Sequence, residues 1–179
     1  IIVADFVGIK TLAYYSIAQS IAYQIHNVLA GTSQWIVPHF AKLRFHKDSL
    51  LTELSGFQSH FRKMLIFGFM LSLPIIHWGL PAYLGTETYK ISQIFIILFL
   101  IFEFFLAKTI IPFFTLNAIH KSKLNLKIYS LMCFVTLLLG VAFHFLNPSG
   151  LGLIWGRILA TLIFALVYKI TLKQVIDSL

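Results

Sequence analysis

The sequence predicts an all-α, polytopic transmembrane bundle, and three observations carry that reading. Of 179 residues 59% are apolar and 11% charged, where an ordinary soluble domain has about 25% charged residues. Mean hydropathy is +0.88. Apolar stretches as long as the ~20 helical residues needed to cross a bilayer core recur between short polar breaks.

The pattern gives about five spans preceded by the end of a sixth. Ile1–Val7 reads as the tail of that earlier span. The first full span, about 11–41, is long and the least apolar; the second, 64–84, carries Pro74 and Pro81. The third, 91–118, contains Glu103, Lys108 and Pro112, and the fourth and fifth cover 128–146 and 150–171. The opening residues have neither a basic n-region nor a cleavage pattern, so they are not a signal peptide. The expectation is a segment that begins partway through a longer protein.

Lys and Arg outnumber Asp and Glu 14 to 6, for a net charge of +8. Helices alternate direction, so Lys42, Arg44, Lys47, Arg62 and Lys63 fall on one side with Lys121, Lys123, Lys127, Lys169 and Lys173. Lys10 and Lys90 fall opposite. Retained basic residues mark the cytoplasmic face, which places the C-terminus in the cytoplasm. The charge is thereby accounted for by topology, with attraction to anionic headgroups of membrane lipids as its consequence. Nucleic acid is not an expected partner.

Along the first span Ser16, Ser20, Tyr23, Asn27, Gly31 and Gln34 recur every three or four residues and share one helix face. Such a face is either a helix–helix seam or the wall of a water-filled cavity. Lys108 and Arg157 are the basic residues inside spans, where a charge costs at least ~2.5 kcal/mol on insertion scales and usually faces protein or water. They are the candidate cavity cations, and Glu103 is the candidate coupling residue. Glu103 and Lys108 are separated by about 140° around a helix, so each needs another partner. Pro112 removes the donor for the Lys108 carbonyl and favours a kink there. His77 and His144, near span ends, read as structural.

Catalytic signals are sparse. His39 and His46 lie seven residues apart without a third ligand, so no metal site is expected. There is no Gly-rich phosphate loop, HExxH or GxSxG, so the chain does not read as an enzyme and no cofactor is expected. The one cysteine, Cys133, excludes an internal disulfide.

Four segments, YYSIAQSIAYQIHNVLAGTSQWIVPHFAKL, YLGTETY, TLNAIHKSK and NPSGLGLIWGRILA, follow one another in the order and spacing of the C-terminal half of polysaccharide flippases. The chain resembles a Wzx-like O-antigen or capsule-unit transporter of the multidrug/oligosaccharidyl-lipid/polysaccharide exporter superfamily. His120 is a departure, since family members often have glycine there. The resemblance implies one lobe of a two-lobe, alternating-access transporter in the bacterial inner membrane. The implied cargo is an undecaprenyl-diphosphate-linked oligosaccharide for surface polysaccharide. Implied partners are the missing N-terminal lobe, a polysaccharide polymerase and a chain-length regulator. A multidrug or cation antiporter of the same superfamily and a non-transporting membrane scaffold are the alternatives.

The topology is open to single-cysteine labelling in a Cys133-free background. Lys47→Cys, Lys123→Cys and Lys173→Cys should react from the cytoplasm, and Lys10→Cys and Lys90→Cys from outside. Labelling of Lys47→Cys only from outside would invert the assignment.

Overall fold

The computed structural model describes residues 9–147 and 150–178. The expected span tail at Ile1–Val7 lies outside the described residues. The described chain is an all-α bundle of six helices: α1 (Ile9–Ser33), α2 (Ile36–Leu43), α3 (Lys47–Leu84), α4 (Thr86–Ala118), α5 (Ser122–Leu146) and α6 (Leu151–Asp177). Four of them, α3 to α6, are long and apolar enough to cross a membrane. The 25 residues of α1 are also long enough, but the polar face beginning at Ser16 lowers its hydropathy below that of the other four.

α4 touches every other helix. Its sequence is apolar almost all round, as a helix buried on most sides must be. Two hydrophobic cores lie in succession along it. One gathers Tyr15, Ala18 and Ala22 of α1 with Phe95, Ile96 and Phe99 of α4 and Ile154 and Ile158 of α6. The other gathers Phe40 of α2, Leu50 and Leu54 of α3, Ala107 to Leu116 of α4 and Phe164 to Ile176 of α6. On α4 the first core ends at Leu100 and the second begins at Ala107; buried Glu103 stands between them.

α5 and α6 approach until backbone meets backbone. A Cβ added at Gly156 would sit 2.5 Å from the Gly140 nitrogen and the Leu139 carbonyl, and one at Gly152 would sit 2.6 Å from the Phe143 carbonyl carbon. Gly152, Gly156 and buried Ala160, four residues apart, form a small-residue stripe of the kind that lets membrane helices pack closely. At the other end of this pair a buried polar network ties three helices. Asn125 of α5 donates through Nδ2 to the Phe113 carbonyl (3.1 Å) and to Asn117 Oδ1 (2.9 Å), both on α4. Tyr168 of α6 donates its hydroxyl to Asn125 Oδ1 at 2.9 Å.

The breaks between helices follow local chemistry. Pro38 has no N–H for the Gln34 carbonyl, which instead accepts from Val37 at 3.2 Å, and the expected first span divides there into α1 and α2. Between Pro74 and Pro81, α3 widens into a π-helical turn, Ile75–Gly79, where Leu80 N–H reaches back to the Ile75 carbonyl. α4 runs unbroken through Pro112. It ends in a Schellman motif: His120 takes a left-handed φ of 60°, and Lys121 N–H donates to the Leu116 carbonyl at 2.9 Å. The His120 ring contacts the Arg44 guanidinium.

The largest difference from the sequence reading concerns the basic link before the second expected span. It is helical from Lys47 onward, because Leu50, Leu54, Phe61 and Leu65 recur on one face and bury it. The helix therefore starts well before residue 64.

Gly156→Val should lower thermal stability by about 1–3 kcal/mol or more, because the added side chain meets backbone that cannot rotate away. Gly56→Ala, where a Cβ meets nothing within 4 Å, should be neutral or raise stability by up to ~1 kcal/mol. Thermal unfolding in matched detergent measures both, and equal transitions for the two variants would remove the seam from the account.

Candidate functional site

Two cavities flank the contact between α1 and α4. The larger, about 570 Å³, lies among α1, α4, α5 and α6 and is lined by Tyr15, His26, Thr109, Tyr129, Thr136, His144, Arg157 and Thr161 among others. The second, about 490 Å³, lies among α1, α3 and α4; apart from Gln24, Thr32, Ser72 and Glu103 its walls are apolar or glycine.

Arg157 enters the larger cavity because the glycine stripe turns Gly152, Gly156 and Ala160 toward α5 and leaves the next position of α6 facing α1 and α4. Its guanidinium lies 5.8 Å from the Tyr15 ring and 6.0 Å from the Phe99 ring. Such cation–π contacts are worth about 0.5–2 kcal/mol and neutralise no charge. The ion pairs among the described residues join His26 to Glu103, His39 to Glu53 and Lys47 to Asp177, so none of the described carboxylates pairs with Arg157. Tyr15 is 2% exposed, and its hydroxyl has no hydrogen-bond partner among the described residues. A buried hydroxyl without a partner costs about 1–3 kcal/mol. A cation and a phenol that both retain binding capacity thus meet in one cavity.

Glu103 is 6% exposed and pairs with His26, Nδ1 to Oε2 3.1 Å. As the helical geometry requires, Lys108 is not its partner. His26 is held from its own helix by Tyr23, whose ring stacks on it at 6.4 Å and 13°. The two residues belong to different walls, His26 to the larger cavity and Glu103 to the apolar one.

The structure separates the two candidate cations. Arg157 lines the larger cavity, while Lys108 lines neither and is exposed, its ammonium 4.9 Å from the rings of both Phe104 and Phe105. Ser16, Ser20, Tyr23, Asn27 and Gly31 of α1, and Gln34 in the turn after it, are all exposed. They form no seam with any described helix. The seam of α1 is the face of Tyr15, Ala18 and Ala22, continued by half-buried His26 and buried Ser33.

His144 is buried and lines the larger cavity, His77 lies in the π-helical turn beside Trp78, and His39 faces Glu53 at 3.6 Å. Among the described residues no three His, Cys, Asp or Glu side chains gather to hold a metal.

Sequence reasoning missed His26 and Tyr15. The signal available for them was the recurrence of Tyr15, Ala18, Ala22 and His26, small and aromatic residues at helical spacing beside the more conspicuous polar face. The stripe at Gly152, Gly156 and Ala160 was equally legible as a packing motif. No family model, curated protein or solved structure matches the chain.

Proposed function

We propose that this chain is one helical lobe of a transporter that moves lipid-linked oligosaccharide units across the bacterial cytoplasmic membrane, by alternating access against a second lobe. The observation that carries the reading is the cavity of about 570 Å³ that holds Arg157, which has no carboxylate partner among the described residues. A guanidinium in a place of low dielectric attracts a diphosphate strongly and offers it a planar pair of donors. Hydroxyls at Tyr15, Tyr129, Thr136 and Thr161 line the same cavity and can hydrogen-bond a sugar. The lipid tails of such a cargo stay in the bilayer.

Two further features support the reading. The exposed polar face of α1 is unsuited to lipid and suits a water-filled space shared with an opposing lobe. His120 adopts the left-handed backbone that glycine favours, at the position where polysaccharide flippases often carry glycine. A cation exporter would use an acidic group in its polar cavity. Glu103 faces the apolar cavity instead and is engaged by His26.

The test is export of surface polysaccharide by a protein carrying both lobes, at matched membrane abundance. Arg157→Ala should reduce it roughly 10- to 150-fold, the equivalent of one charge-assisted hydrogen bond of about 1.5–3 kcal/mol. Arg157→Lys should keep part of the activity, and Lys108→Ala should keep most of it, since Lys108 lines neither cavity. Export by Arg157→Ala at the wild-type rate would overturn the assignment.

A further inference from the structure

One face of α4 is left open by the other described helices. Ile94, Ile97 and Lys108 are exposed and Ile101, Phe104 and Phe105 half-buried, and their spacing of three or four residues sets them in a stripe along one side of the helix. Phe99, whose ring packs on Tyr15 of α1 with centroids 5.0 Å apart, is nine residues from Lys108, about 180° around the helix. The stripe therefore lies on the far side of α4 from α1 and from the exposed polar face of α1. On one flank α3 borders it, with Phe69 against Phe104 at 5.7 Å.

The charged residue of this stripe sits deep in the bundle. Lys108 is ten residues before Ala118, the last of α4, which is about 15 Å along the helix axis. A lysine near the end of a span turns its ammonium outward to headgroups and water. Here the ammonium turns back along the helix, 4.9 Å from the rings of both Phe104 and Phe105, toward the middle of the apolar run. Those ring faces attract a cation but neutralise no charge. Nor does a described carboxylate. Glu103 is engaged by His26, and Asp48, Glu53, Glu87 and Asp177 lie within about two turns of a helix end. A charge at this depth is retained where an opposite charge or water meets it, and the isoleucines along the stripe make a wall suited to hydrocarbon rather than to water. The lone cation thus specifies what must complete an otherwise apolar face.

We infer that this face of α4 is the docking surface of a further transmembrane helix, one that is apolar and carries a carboxylate at the depth of Lys108. Ile94, Ile97 and Ile101 pack against its aliphatic side chains, and its carboxylate accepts from the Lys108 ammonium beside the two phenylalanine rings. Close packing and interhelical hydrogen bonds of this kind are what associate helices in lipid. The surface is opposite the polar face that the proposed second lobe would meet. The inference therefore stands apart from the transport reading, and it agrees with the expectation that Lys108→Ala keeps most of the export.

The experiment uses the 179-residue chain in phosphatidylcholine vesicles at neutral pH. The probes are synthetic transmembrane peptides of leucine and alanine with Glu, Gln or Lys at the central position. Each carries a dansyl group, and association is read as energy transfer from the native tryptophans. Wild type should bind the Glu peptide about 5- to 30-fold tighter than the Gln peptide, the strength of one interhelical polar contact. Lys108→Met should bind the two alike, Lys108→Arg should keep the preference, and Lys108→Glu should transfer it to the Lys peptide. Equal binding of the Glu and Gln peptides by the wild type overturns the proposal. Loss of the preference on adding phosphatidylglycerol assigns Lys108 to lipid headgroups and overturns it as well. So does a preference that appears only in Asp5→Asn, since the chain's own carboxylate would then be the partner of Lys108.

Discussion

A carboxylate inside an apolar bundle must have a donor, and the rest of this structure is arranged around that requirement. Glu103 lies in the middle of α4, the helix that every other helix touches, and is 6% exposed. Removing one partner from a buried charge pair costs about 3–5 kcal/mol, so the position of His26 on α1 is not free. It fixes the rotation of α1, turning Tyr15, Ala18 and Ala22 inward and Ser16, Ser20, Tyr23 and Asn27 outward. One member of the pair lines each of the two cavities beside α4, His26 the one that holds Arg157 and several hydroxyls, Glu103 the more apolar one.

The other contacts differ in kind. α5 and α6 are joined by backbone proximity at Gly140, Gly152 and Gly156 and by the Asn125 network. Close packing and hydrogen bonds drive association where lipid removes the hydrophobic incentive. The remaining face of α5 exposes Leu126, Leu131, Phe134 and Leu138, a surface compatible with lipid. α1 has the opposite character, with an exposed face of hydroxyl, amide and glycine positions. The bundle thus has an apolar side and a polar side, the asymmetry that the proposed two-lobe transporter requires.

Much of this was legible in the sequence. Long apolar stretches marked the middle of α4, α5 and α6, and each helix runs five or six residues beyond its expected span at one end, where polar residues continue the helix past the apolar run. The geometry of one helix also excluded a pair between Glu103 and Lys108. Hydropathy alone hid the start of α3, whose amphipathic first turns bury Leu50 and Leu54 beneath charged neighbours. It hid the break before Pro38 as well. The candidate site was legible only in part. Intramembrane charge singled out Arg157, Lys108 and Glu103, but which of them share a cavity depends on rotations of helices distant in sequence. His26 is 77 residues from its partner, and a lone histidine carries no mark of that contact.

The claim on which the account most depends is that the polar face of α1 meets water. Substituted-cysteine accessibility in intact membranes measures it, in a Cys133-free protein carrying both lobes and with a membrane-impermeant thiol reagent. Ser20→Cys and Asn27→Cys should react while Leu131→Cys and Leu138→Cys stay silent. Silence at Ser20 and Asn27, or labelling that does not distinguish them from the two leucine positions, would contradict the account.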